Sequence, residues 1–195
     1  MIRAGVVAVA AFAAFVSASA AFADDWVATK LRGEVFQSIE GEWVALDRGD
    51  IVSDDRAIRT ADNGRVTFQR DGETIEMMGG TEIQIVDETG RRYTTVHQAY
   101  GIVSIEAEVQ NVQHFEVRTI TMAAVVKGTR FTVVSDPEGT DVTVERGHVA
   151  VECLFSHFTS TVGIGQTAAN GHGALLHVLG EGDLPVVYDD KGNPT

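Results

Sequence analysis

Gly128-Thr129 is the pair in this chain whose residue types and spacing suit a covalent step. A hydroxyl on the residue after a glycine can attack the preceding carbonyl, turning an amide into an ester that water then cleaves. Glycine serves such a shift because it leaves the carbonyl unshielded and tolerates a strained backbone. The same two residues also read as a turn glycine and the start of a strand over Phe131 to Val134, the plainer assignment. A Gly-x-Ser-x-Gly elbow is absent, and Gly163-Ile164-Gly165 lacks the strand-to-helix setting of a phosphate loop. The chain therefore reads as a non-enzyme, with Gly128 and Thr129 as its one candidate for self-cleavage.

Metal chemistry finds little to work with. Six histidines, His97, His114, His148, His157, His172 and His177, show no zinc-helix or knuckle spacing, and Cys153 is the single cysteine. His172 and His177 are the two that a turn would bring together. The acidic pairs Asp54-Asp55, Asp87-Glu88 and Asp189-Asp190 lack the alternating oxygen ligands of a calcium loop and read as solvated turns. No metal and no cofactor is expected. One cysteine forms no intramolecular disulfide, and a buried packing role suits it better than a reactive one. Trp26 and Trp43 are the candidate binding residues, since an exposed tryptophan stacks on a sugar or anchors a partner chain. Core packing is the competing reading for both, and the stronger one for Trp43, which is followed by alternating residues.

The elements that must hold these residues are strands. Val66-Thr67-Phe68-Gln69, Ile83-Gln84-Ile85, Val142-Thr143-Val144-Glu145 and Val149-Ala150-Val151-Glu152 alternate with period two, and no helical stripe interrupts them. Glycines at Gly33, Gly64, Gly72, Gly80, Gly101, Gly128 and Gly147 each precede a β-branched or aromatic residue by a few positions. Such glycines permit tight turns feeding inward-pointing residues, as in coils of short stacked strands and in sandwiches with tight hairpins. The fold class is all-β, solenoid-like or alternatively a β-sandwich. From Ser156 onward glycine and small residues form an extension, and the polar segment from about Tyr188 reads as a disordered tail.

Arg3, an apolar run from Ala4 to Phe22 and the small-x-small exit Ala21-Phe22-Ala23 form the pattern of a cleavable secretory signal over residues 1–23. Removing it leaves one domain's worth of chain, residues 24–155 with the extension 156–195. It also removes one basic and no acidic residue, so the net charge moves from −13 to −14. Such a surface repels phosphate backbones and anionic lipid, which disfavours nucleic acid and peripheral membrane binding. With no second apolar segment, the exported chain does not span a membrane and belongs in the periplasm or beyond it.

Leu31-Arg32-Gly33-Glu34-Val35, Trp43 through Leu46 and Arg48-Gly49-Asp50 resemble the opening of the FecR-like domain. The resemblance continues through Ile58-Arg59-Thr60, Asn63-Gly64-Arg65-Val66-Thr67-Phe68, Gly80-Thr81-Glu82-Ile83 and Gly101-Ile102-Val103. It is densest at Val125-Val126-Lys127-Gly128-Thr129-Arg130-Phe131-Thr132-Val133 and extends from Val27 to Gln166. It implies an all-β periplasmic module that relays the occupancy of an outer-membrane receptor. In some relatives a Gly-Thr pair in this domain is cut, which would fall at Gly128-Thr129. The cytoplasmic sigma-binding segment and membrane helix of typical members have no counterpart ahead of the signal. What the resemblance then implies is a non-catalytic signalling accessory or scaffold. Its partner would be an envelope protein such as an outer-membrane receptor or a periplasmic sensor domain. Recognition of cell-wall or other envelope polysaccharide is the alternative, motivated by Trp26 and Trp43.

Overall fold

The computed structural model describes residues 25–53, 55–88, 90–171 and 175–195, so the proposed signal lies outside the described residues. Runs of Val, Ile and Thr alternating with polar residues suit a half-buried pleated surface. They form seventeen strands and no helix among the described residues, as the all-β reading requires.

The chain opens with β1 (Trp26–Arg32), β2 (Val35–Ile39), β3 (Glu42–Ala45), β4 (Ile51–Val52) and β5 (Ala57–Thr60). The hairpin β6 (Arg65–Arg70) and β7 (Glu73–Met77) leads through β8 (Glu82–Asp87) to the long β9 (Thr94–Glu106). Then come β10 (Phe115–Arg118), β11 (Met122–Val126), β12 (Arg130–Asp136) and β13 (Gly139–Arg146). The last are β14 (Val149–Cys153), β15 (Thr159–Val162), β16 (Gln166–Gly171) and β17 (His177–Gly180).

Pairing sorts these strands into two ladders. The first runs β4-β1-β6-β7-β9-β12-β13-β16-β17. The second runs β3-β2-β5-β8-β9-β10-β11-β14-β15. The chain crosses repeatedly between ladders, as a coil does, and the ladders face one another across a single apolar core. Trp26 of β1 meets Phe115 of β10 across that gap, edge to face with centroids 6.3 Å apart.

β9 belongs to both ladders. Its first half pairs with β8 and β10, its second half with β7 and β12. In the first half Thr94, Val96 and Gln98 are buried; in the second, Val103 and Ile105 are. The inward parity flips because a strand that changes sheets must turn its other face to the core. Gly101 makes the crossing at φ +96°, and a Cβ there would lie 2.3 Å from Thr81 Oγ1 and 2.6 Å from the Gly80 carbonyl oxygen. The Gln98 amide donates to the Gly101 carbonyl at 2.8 Å, and the Ile102 N–H donates to Thr81 Oγ1 at 3.0 Å.

One end of the core is closed by charge. Arg70, at the end of β6, is buried over the Trp26 ring with its guanidinium carbon 4.4 Å from the centroid. It donates to Glu73 at 3.0 Å within its own ladder and to Asp87 of the other at 2.8 Å. The Thr94 hydroxyl joins Arg70 to Asp87 a second time. His114 Nε2 stands 3.1 Å from Glu73 Oε1, an ion-pair distance, although the approach angle falls short of a hydrogen bond. Burial pulls the Arg70 pKa down, but Asp87 and Glu73 outweigh it and hold the guanidinium above its ordinary value.

The C-terminal extension continues both ladders through β15 on β14 and β16 on β13. Polarity predicts a free tail from about Tyr188, whereas the structure shows residues 188–195 folded back. Tyr188 exchanges both backbone hydrogen bonds with Thr159, and the Asp189 carboxylate accepts the Lys191 and Asn193 N–H groups. The side chain thus supplies locally what a strand partner supplies elsewhere.

Replacing Arg70 by Met removes the cation shared by the buried Glu73 and the partly exposed Asp87. The expected loss is about 3–5 kcal/mol in urea unfolding, partly recovered when Glu73→Gln is added. A loss below about 1 kcal/mol would show that the two ladders do not rely on this contact.

Candidate partner-binding face

The residues singled out from sequence fall in separate places. Trp26 is 1 % exposed and sits in the core, so it stacks on no ligand. Trp43 lies half-buried on the outer face of the second ladder, with the Arg59 guanidinium carbon 4.1 Å above its ring and 5.5 Å from that of Phe36. One tryptophan is therefore core and the other a surface cation–π stack, the reverse of the order suggested by their neighbours.

Gly128 and Thr129 are packed rather than open. Gly128 has φ +143°, and a Cβ on it would lie 2.3 Å from Val109 Cα, so the glycine is required by the segment crossing over it. Thr129 is buried, and its hydroxyl donates to the His148 carbonyl at 3.0 Å. A carbonyl cannot take up the proton that an attacking hydroxyl must lose.

His172 and Asp54 lie outside the described residues, and the expected meeting of His172 with His177 lies outside them too. His177 Nδ1 sits 3.0 Å from the Leu175 carbonyl. Among the described residues no group of three His, Cys, Asp or Glu side chains is placed to hold a metal ion. Cys153 is buried with Asn170 Nδ2 at 3.4 Å. Burial raises its thiol pKa, but hydrogen bonds from Ser156 and Asn170 outweigh that and leave it below its ordinary value.

What sequence reasoning missed is the outer face of the second ladder. Three hollows adjoin there. One of about 310 Å³ lies over β10, β11, β14 and β15, floored by Ala123 and Ala150. The next, about 320 Å³, shares Arg118 with it and is floored by Ala57 and Ala99 beside Glu82 and His97. The third, about 720 Å³, shares Ala99 and Ile120 and wraps the β9 corner past Tyr100, Ile102, Val134 and Pro137. Ile120, at 73 % exposed, is the most prominent apolar side chain along this trough. Small residues facing outward make a floor, and larger ones at the strand ends make walls. Its polar groups are organised: Tyr100 donates to Glu82 at 3.1 Å, Arg118 to Glu116 at 2.8 Å, and Tyr93 to Glu116 at 3.0 Å.

Burial raises the Tyr93 pKa, and the Glu116 carboxylate adds to it, reaching about 12. An unfolded tyrosine ionises near 10, so between these values the unfolded chain sheds a proton that the native chain keeps. Stability then falls as pH rises from about 10 and stops falling once native Tyr93 ionises. A phenolate absorbance titration should show a late phase that Tyr93→Phe abolishes and Glu116→Gln moves to lower pH; no change in either variant would refute the assignment.

The packed geometry at Gly128-Thr129 carries its own test. Purified protein is expected to keep a single intact mass through prolonged incubation at neutral pH. Two fragments meeting after Gly128, abolished by Thr129→Val, would establish self-cleavage instead.

Residues 56–150 match the family model described as FecR protein, a narrower span than the resemblance read from Val27 to Gln166. Over residues 56–150 the chain is therefore FecR-like. No curated protein sequence matches it. Two crystal structures of a "putative anti-sigma factor" from Parabacteroides distasonis ATCC 8503 share the fold, each at 18% identity and TM-score 0.56. Each alignment covers 64% of this chain and 59% of the other, so it spans somewhat over half the length of that protein.

Proposed function

We propose that this FecR-like chain is a non-catalytic, exported regulatory module of the cell envelope, acting by binding a protein partner along the outer trough of the second ladder. The trough carries the reading. It is continuous, apolar at its largest hollow and built on paired strands, as a docking surface needs to be. The leader pattern of residues 1–23 supports export to the periplasm, and the match over residues 56–150 supports a signalling role.

The occupant is an extended segment of an envelope protein, such as a receptor or periplasmic sensor domain, carrying apolar side chains flanked by Lys or Arg. Ile120, Ile102 and Val134 take the apolar groups, while Glu82, Glu116, Glu152 and Asp136 line the same trough with negative charge. A net charge of −14 on residues 24–195 adds long-range attraction for a basic face. Self-cleavage at Gly128-Thr129 forms no part of this role. Polysaccharide recognition loses its motive, since Trp26 is core and Arg59 covers one face of Trp43.

In-cell crosslinking of the tagged protein, followed by mass spectrometry, should enrich one envelope protein. Ile120→Asp and Tyr100→Ala should each reduce its capture about ten-fold or more, and rising salt should weaken it further. Equal capture by wild type and both variants would exclude the trough, and enrichment of wall material without a dominant protein would overturn the reading.

A further inference from the structure

A second surface runs against the charge of the whole molecule. On the outer face of the first ladder, Arg32 of β1 and Arg65 of β6 stand directly opposite one another. Like charges in that position are destabilising, because their Cβ atoms are only about 4.5–5.5 Å apart. Lys30 lies two residues from Arg32 along β1, also exposed. None of the three cationic groups is in an ion pair or side-chain hydrogen bond with another described residue. In a chain with 28 acidic residues against 15 basic ones, three clustered cations with no carboxylate partner among the described residues are an unfavourable arrangement.

The backbone holds the pair together. A Cβ on Gly33 would lie 2.1 Å from the Asn63 carbonyl oxygen, and one on Gly64 would lie 2.2 Å from that of Glu34. The Ala61 N–H donates to the Glu34 carbonyl at 3.0 Å between the same two turns. The turns at Gly33 and Gly64 are thus interlocked, and neither strand can spread to relieve the repulsion. Beside them opens a hollow of about 500 Å³ lined by Arg32, Gly33, Asp62, Asn63 and Arg65. Asn63 Oδ1 accepts the Glu34 N–H at 3.4 Å, which leaves its amide nitrogen as a further donor. Asp62, the one carboxylate in the lining, has its Oδ1 beside Gly80.

We propose that Arg32 and Arg65, assisted by Lys30 and Asn63, form a binding site for a single phosphate group, either free or as the phosphomonoester of a lipid headgroup. Two planar forks from adjacent strands match a tetrahedral group with several terminal oxygens better than they match a carboxylate. A phosphate monoester carries about −1.5 to −2 at neutral pH, enough to cancel the repulsion between the two guanidiniums, which one carboxylate charge does not do. The acidic remainder of the surface excludes a polyphosphate chain, since a nucleic acid would place many phosphates against carboxylates. The site shares no lining residue with the trough and does not depend on it.

The test uses the full chain, with thermal unfolding and calorimetric titration in inorganic phosphate against chloride at matched ionic strength. A parallel arm measures co-sedimentation with phosphatidylcholine vesicles made with and without phosphatidic acid. Phosphate is expected to stabilise the wild type beyond chloride, with affinity falling about ten-fold for each of Arg32→Gln and Arg65→Gln. Without phosphate, either variant should be as stable as the wild type or more so, because the repulsion is gone. Binding to inorganic phosphate supports the site with a free anion as its ligand, and binding only to phosphatidic acid vesicles supports it with a headgroup. Binding to neither, or binding unchanged in an Arg32→Gln/Arg65→Gln double variant whose strand content is intact, overturns it.

Discussion

A strand that serves two sheets must turn its side chains over where it passes from one to the other. β9 does so at Gly101, where Thr81 and Gly80 press so closely that no side chain fits. Much else follows from that corner. Val96 and Ile105 fill the same core from opposite ladders only because the parity changes between them. The flip also turns Ile102 outward beside Tyr100, and Val134, its partner on β12, with it. The apolar end of the trough is therefore a geometric product of the crossing, produced by the same residues that allow the ladders to share a strand.

Arg70 has a complementary part at the other end of the core. Charge buried between two sheets is costly unless each group finds a partner. Here the partners come from both ladders: Glu73 from one side and Asp87 from the other, with His114 and Thr94 behind them. Such a contact adds little attraction beyond what hydrophobic residues would give, but it penalises misregistered sheets, since a shifted strand would leave a carboxylate without its cation. Trp26 shows the two devices meeting, with an apolar edge against Phe115 and its face under Arg70.

Strands were legible in the sequence wherever one face is buried and the other wet. Ile83-Gln84-Ile85 and Val142-Thr143-Val144-Glu145 become β8 and β13 with the expected faces inward. The turn glycines were legible too, since Gly33, Gly80, Gly101 and Gly147 all take positive φ. The trough was not, because Ala57, Ala99, Ala123 and Ala150 are unremarkable until pairing lays their strands side by side. Trp26 gave no local sign of burial: the residues that enclose it, Arg70 and Phe115, are far along the chain. The fold of the tail depends on Asp189 capping its own turn, which polarity alone reads as disorder.

The shared strand also divides the molecule into two incomplete halves. Strands β1 to β8 pair onto one side of β9 in each ladder, and β10 to β17 onto the other. Neither half can close its innermost edges alone, so the two depend on β9 in common and neither has a complete sheet without the other. A module assembled in this way is one cooperative unit, whose two halves stand or fall together with the strand they share.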